Sequence, residues 1–231
     1  MFIEVRELRK SYGMVGNQTQ VLNSLSTEIP EGEITVILGP SGSGKSTLLN
    51  IIGGLEEADG GSVIVSGQDI TRMNKKALSK YRRDYLGFVF QFYNLVPNLT
   101  VKENILTGEY ISKAPVDIEE IINVLGLREH VDKYPSMLSG GQQQRCSVAR
   151  ALAKNPQILL CDEPTGALDY KSSLEMLKLF EKVNKMFHTT IIIVTHNEAI
   201  QNMAHTVIRV KDGVAKTEHN NSIMLAEEIG W

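Results

Sequence analysis

The chain reads as an α/β fold with a mainly parallel core sheet, an antiparallel β portion at the N-terminus and an inserted helical lobe. Three observations predict it. Strand-like and helical runs alternate along most of the sequence, the pattern of a parallel sheet with crossover helices. The runs Ile34–Leu38, Ile158–Cys161 and Ile191–Thr195 are nearly all apolar, as strands covered on both faces must be. Between Phe92 and Ala153 strand signals vanish and helices dominate, interrupted by Pro97, Pro115 and Pro135. Further strands are expected at Ile3–Leu8, Val63–Val65, Gly87–Phe90 and Val207–Val210. The first of these alternates apolar and charged residues, which marks it as antiparallel and as no signal peptide. Asp212-Gly213 after Val207–Val210 is a hairpin signal. Helices are expected after Lys45 and over Ile118–Leu125, Gln142–Ala153 and Leu174–Phe187. The tail from Lys216 is polar, then amphipathic over Ile223–Ile229, and a docked or frayed helix is expected there.

A chain of 231 residues can bury a large core as one domain. We divide it into a core of residues 1–91 and 154–231 and a helical lobe of 92–153. The net charge of -3 offers no general basic footprint, so no nucleic-acid partner is expected. Cys146 and Cys161 are too few for a disulfide framework and read as reduced core residues. No run of ~18 apolar residues occurs, so no membrane-spanning helix is predicted. Neither an internal repeat nor a low-complexity segment is present.

The chemistry begins at Gly39-Pro40-Ser41-Gly42-Ser43-Gly44-Lys45-Ser46. It fits G-x-x-x-x-G-K-[ST], a loop that ends a strand and opens a helix. Glycines let backbone N–H groups close on phosphate oxygens. Lys45 can reach terminal phosphates, the Ser46 hydroxyl can ligate Mg²⁺, and the helix start adds a partial positive charge. The apolar strand Ile158–Cys161 ends in Asp162-Glu163. Beside such a loop, Asp162 is placed to hold Mg²⁺ and Glu163 to polarise a water as general base. Leu138-Ser139-Gly140-Gly141-Gln142 opens another helix with Ser139 as N-cap. Taken locally it is either a second anion site or an ordinary capped helix.

Leu138–Gln142, some twenty residues before Asp162-Glu163, resembles the signature of ABC-type ATPases, whose core is of the P-loop, RecA-like type. Further elements resemble the same family in family order. Gln91 follows Gly87–Phe90 as the Q-loop glutamine does. Ala167-Leu168-Asp169 is similar to the D-loop, His196 to the switch histidine, and Tyr12 to the aromatic that stacks on adenine. The resemblance covers Phe2 to about Lys216.

It implies an ATPase. ATP would lie on Tyr12, on Gly39 through Gly44 (Pro40, Ser41, Gly42 and Ser43 included), and on Lys45, Ser46 and Thr47. Mg²⁺ would lie at Ser46, Gln91 and Asp162, and Glu163, His196, Gln91 and Lys45 would act in hydrolysis. It also implies a head-to-tail dimer with a second copy. There Ser139, Gly140, Gly141 and Gln142 of one subunit meet the ATP of the other, and Asp169 lies at the interface.

Leu48–Leu55, Arg82-Arg83, Asn94–Thr100 with Glu103-Asn104, and Glu163–Asp169 are similar to the lipoprotein-releasing, macrolide-exporting and antimicrobial-peptide-resistance ATPases. The cell-division relative shares these motifs, and a soluble, non-transport ABC ATPase is a second class. No zinc-type cysteine pairs or long heptads favour that second class. The resemblance implies an integral membrane permease-type partner, with Phe92–Thr100 as its docking segment. It also implies a cytoplasmic, peripheral position on the inner face of the membrane. The cations Arg72, Lys75, Lys76, Lys80, Arg82 and Arg83 read as a solvated helix face, or as a contact to that partner or its lipid. The substrate is not legible.

Overall fold

The computed structural model describes residues 1–14 and 17–230. Its centre is a six-stranded sheet ordered β10-β9-β3-β8-β7-β6. The members are β3 (Ile34–Leu38), β6 (Leu86–Phe90), β7 (Ile158–Asp162), β8 (Thr190–Thr195), β9 (Thr206–Lys211) and β10 (Val214–His219). Five run parallel, and only β10 returns antiparallel, through the Asp212-Gly213 turn. A second sheet is ordered β2-β1-β4-β5, from β1 (Ile3–Met14), β2 (Asn17–Ile29), β4 (Gly60–Val65) and β5 (Gln68–Asp69). It is antiparallel throughout. Thr27 Oγ1 and Thr217 Oγ1, 2.8 Å apart, tie β2 to β10 and so join the two sheets.

The period-2 alternation of side chains assigns each central strand to two cores. Ile34, Val36 and Leu38 of β3, with Ile191 and Ile193 of β8, belong to the core covered by helices. Ile37, Ile192 and Val194 belong to the other core, under α1 (Lys45–Ile52) and the antiparallel sheet. The helical side is built from α3 (Val101–Ile111), α4 (Ile118–Val124), α5 (Gly140–Leu152) and α6 (Tyr170–Phe187). Met176, Leu177, Phe180 and Val183 form the helical stripe by which α6 buries one face. Both cysteines are buried and unpaired, and burial pushes the Cys146 thiol up to about 12.

The structure adds elements the periodicity does not reveal. β2 is one, because Asn17–Gln20 and much of the strand beyond face solvent. The helices α2 (Lys75–Tyr85) and α3 are two more. In α2, Arg72 just before it and Lys75, Lys76 and Lys80 are exposed. Arg82 turns inward and donates to the Gly54 carbonyl at 2.6 Å. The tail differs from the expected helix. Only Ala226–Glu228 turns, as a single 3-10 turn docked by buried Ala226 and Ile229. Ile223, Met224 and Leu225 are consecutive, so they cannot share one helical face, and all three stay exposed.

Candidate functional site

The site residues gather where β3, β7 and β8 end, at the carboxyl edge of the parallel sheet. Loops leaving that edge face one crevice. The loop from β3 turns into α1 at Gly44, whose φ of +101 is open to glycine alone. A Cβ there would stand 2.8 Å from Leu22 Cδ2 and 2.9 Å from the Val21 carbonyl oxygen. Lys45, 7% exposed, opens α1 and donates from Nζ to the carbonyls of Gly39 at 2.7 Å and Pro40 at 2.9 Å. The ammonium is thus held against the loop's own backbone. Ser43 Oγ is buried within the loop and has no hydrogen-bond partner.

Ser46, the next residue, donates to Asp162 Oδ1 at 3.0 Å. That bond joins the start of α1 to the end of β7. Burial raises the Asp162 pKa, and the Glu163 carboxylate adds to the rise; the Ser46 hydrogen bond and Lys45 act against it. A half-buried carboxylate kept from water beside a hydroxyl is a hard-oxygen donor pair. It fits a Mg²⁺ that takes its other ligands from water and phosphate.

Glu163 sits just past β7 at φ +47, held by its N–H to the Val194 carbonyl at 2.9 Å. That bond, from one strand end to the next, aims the glutamate toward the residue that follows β8. His196 Nδ1 lies 2.9 Å from Glu163 Oε1. Glu163 Oε2 is buried and unpartnered. A carboxylate oriented by an imidazole at the border of a cleft is the kind of group that takes a proton from a water. The two side chains border a cleft of about 320 Å³ that Thr165, Gly166 and Asn197 also line. Gln91 directly follows β6 and lies against the same turn: a Cβ on Gly166 would be 3.1 Å from Gln91 Nε2.

Tyr12, near the end of β1, is 43% exposed and its hydroxyl lies 3.2 Å from Thr47 Oγ1. Lys10 Nζ stands 5.4 Å from its ring centroid, anchored by Glu56 at 3.4 Å and Asp59 at 3.6 Å. An aromatic plane at the rim of the phosphate loop is therefore held at its hydroxyl and covered by a cation. Lys10 escaped the sequence analysis because a cation in a charged strand carries no motif.

The signature residues are not part of this gathering. Ser139 N-caps α5 in a reciprocal box: Ser139 N–H donates to Gln142 Oε1 at 2.9 Å, and Gln142 N–H donates to Ser139 Oγ at 3.3 Å. Gln142 Nε2 also meets His130 Nε2 at 3.1 Å. Cβ atoms on Gly140 and Gly141 would meet Tyr93 Oη at 2.8 Å and Ser172 Oγ at 3.2 Å. None of these neighbours belongs to the phosphate loop. Asp169 N-caps α6 through Ser172 N–H at 2.8 Å, and the Ser172 bonds hold its carboxyl below the ordinary range.

Fold and site together define a P-loop ATP-binding cassette ATPase. The chain belongs to the ABC transporter family, whose model matches residues 22–166. A putative ABC transporter ATP-binding protein of Mycoplasma genitalium is 46% identical over 232 residues. That match covers 97% of this chain and 50% of the relative, so the chain spans about half that relative's length. The bacitracin export ATP-binding protein BceA of Halalkalibacterium halodurans is 41% identical, covering 94% of this chain and 87% of that one. A dimeric post-hydrolysis ATP-binding cassette bound to ADP and Pi superposes with a TM-score of 0.84 at 36% identity. It covers 94% of this chain and 98% of its own. Among the described residues no helix is long and apolar enough to cross a membrane.

Proposed function

We propose that this chain hydrolyses ATP as the engine subunit of a membrane transporter. The observation that carries the reading is the pair of contacts at the sheet edge. Ser46–Asp162 at 3.0 Å and Glu163–His196 at 2.9 Å lie on neighbouring strand ends beside the Lys45 loop. Gly39 through Ser46 hold the phosphates by backbone N–H groups, with Lys45 on the terminal ones and Tyr12 and Thr47 at the adenosine end. Ser46, Asp162 and Gln91 would hold Mg²⁺, which when bound neutralises charge on the phosphate oxygens. Glu163 accepts a proton from water as its oxygen bonds to the γ-phosphorus, and the bond to the bridging oxygen of ADP breaks. His196 orients Glu163 and donates to the γ-phosphate.

Ser139, Gly140, Gly141 and Gln142 lie away from this centre and serve the ATP of a second copy, with Asp169 at the seam. Two ATP molecules then close a dimer, and loss of the γ-phosphate opens it. Dimeric cassettes among the structural neighbours support this arrangement. In this division residues 92–153 act as the signature lobe on a core of 1–91 and 154–231. Phe92–Thr100 receives a permease-type membrane subunit, which holds the chain at the cytoplasmic membrane face. The work is export or extraction of a lipoprotein, antibiotic or peptide, a reading supported by relatives named for bacitracin and macrolide export.

Glu163→Gln removes the proton acceptor and keeps the shape. With ATP and Mg²⁺ this variant is expected to elute as a dimer on size exclusion. Elution as a monomer at saturating ATP would sink the two-subunit site.

A further inference from the structure

Gln144 lies in α5, one turn into the helix, and is fully buried. Its Nε2 donates to the Pro164 carbonyl at 2.9 Å and reaches the Phe90 carbonyl at 3.4 Å. Both neighbours are acceptors, so the amide nitrogen must be the atom that faces them. The positions matter. Pro164 directly follows Glu163, and Phe90 directly precedes Gln91. One side chain therefore clasps the backbone beside Glu163, assigned to the attacking water, and beside Gln91, assigned to Mg²⁺. Phe90 and Asp162 are already register partners across β6 and β7, so the amide spans a prepared seam.

The other end of the amide argues that the clasp is more than packing. Gln144 Oε1 is buried with no hydrogen-bond partner. A leucine or methionine would fill the same volume and leave no orphan acceptor, so a glutamine is disfavoured here unless its NH₂ group is needed. The same helix makes further bonds to the loop after β6. Arg150 donates to the carbonyls of Asn94 at 2.7 Å and Tyr93 at 3.2 Å. Helix α5 thus begins at the signature residues and is stitched, at Gln144 and again at Arg150, to the segments that carry Gln91 and Glu163.

We infer that Gln144 is a positioning residue for hydrolysis: its amide fixes the backbone beneath Glu163 and Gln91, and so ties the signature helix to its own subunit's catalytic turn. This rests on the hydrolysis reading above. Removal of the clasp shifts Glu163 and Gln91 and leaves the phosphate loop alone. The effect therefore falls on kcat and not on ATP affinity.

The full-length chain tests it with two substitutions and a control. Gln144→Met keeps the volume and removes the donor. It is expected to lower kcat for phosphate release at least about tenfold, with the Kd for ATP within about twofold of wild type. Gln144→Glu regains a donor only when its carboxyl is protonated, so its activity relative to wild type is expected to rise as pH falls. Ser147→Ala, at a buried site on the same helix, controls for packing and is expected to match wild type. An unchanged kcat in Gln144→Met, or a Gln144→Glu profile parallel to wild type, overturns the inference. So does failure of both Gln144 variants to fold, which assigns the residue to structure alone. Amide hydrogen exchange separates this from the parent reading. Gln144→Met is expected to exchange faster over residues 90–94 and 163–168. Should wild type bind ATP yet release no phosphate, the hydrolysis reading fails, and unchanged exchange there would overturn the clasp on its own.

Discussion

Asp162 carries the clearest electrostatic signature of the site. Burial is the largest cause of its raised pKa, ahead of the Ser46 hydroxyl that lowers it and the Glu163 carboxylate that raises it. A raised folded-state pKa means that ionisation opposes folding. The associated stability is full below the ordinary aspartate value of ~3.9 and is lost as pH rises through the shifted value. Asp162→Asn is therefore expected to raise the Tm of the chain without nucleotide at pH 7, with the gain fading below about pH 4. A lower Tm at pH 7 would mean that Ser46 and Lys45 outweigh burial. Lys45→Ala removes the cation nearest the phosphates and is expected to reduce phosphate release by about two orders of magnitude or more. Wild-type turnover in that variant would dismiss the loop assignment. The loop residues are legible in the sequence because phosphate chemistry forces residue types into eight consecutive positions, Gly39 to Ser46. Glu163 and His196 lie 33 residues apart and meet only through the adjacency of β7 and β8. Family resemblance can foresee that pair, and local pattern cannot. Gln144 and Lys10 act through a carbonyl clasp and an aromatic face, contacts that leave no trace in spacing.

Helices α3 and α5 cross at Gly108. A Cβ built there would lie 2.2 Å from the Arg150 carbonyl oxygen. Two effects compete when Gly108 becomes alanine. Helix propensity favours the change by about 1 kcal/mol. Forcing a methyl into the crossing costs about 1–3 kcal/mol. Packing wins, so Gly108→Ala is expected to lower the urea midpoint, and a raised midpoint would show that the crossing can relax. That glycine also explains why α3 is hard to foresee, since a glycine inside a helical pattern reads as an interruption. Its start is better marked: Thr100 and Glu103 form a capping box, with Thr100 N–H donating to Glu103 Oε2 at 2.7 Å. Strands covered on both faces declare themselves as apolar runs, as β3, β7 and β8 do. β2 does not, because an antiparallel ribbon with a solvated face can be written in polar residues. In the tail Ala226 and Ile229 are the anchors, and they use one turn and irregular backbone.

At the scale of the whole molecule, two cores share one sheet, and Lys45, Ser46, Asp162, Glu163 and His196 lie along one edge of it. Beyond Gln91 the surface turns apolar: Phe92 is 76% exposed, with Val96 at 41%. An exposed apolar loop next to Gln91 fits the partner contact proposed above. Phe92→Asp is expected to move the tagged chain from the membrane pellet to the supernatant of lysed cells. Met186→Asp, on an exposed apolar residue of α6, is expected to leave it in the pellet. Retention of the Phe92 variant in the pellet would place the partner elsewhere. The strand order also dictates when the molecule can come into being. β3, which delivers the phosphate loop, pairs only with β8 and β9, and both are encoded beyond residue 189. While the chain is still emerging from the ribosome, β3 presents two bare, apolar edges, and such edges invite association with other chains. The nucleotide loop, written at residues 39–46, gains its scaffold only once β8 and β9 have been made. Nascent chains cut short of β9 are therefore the ones that would most need a chaperone's shelter.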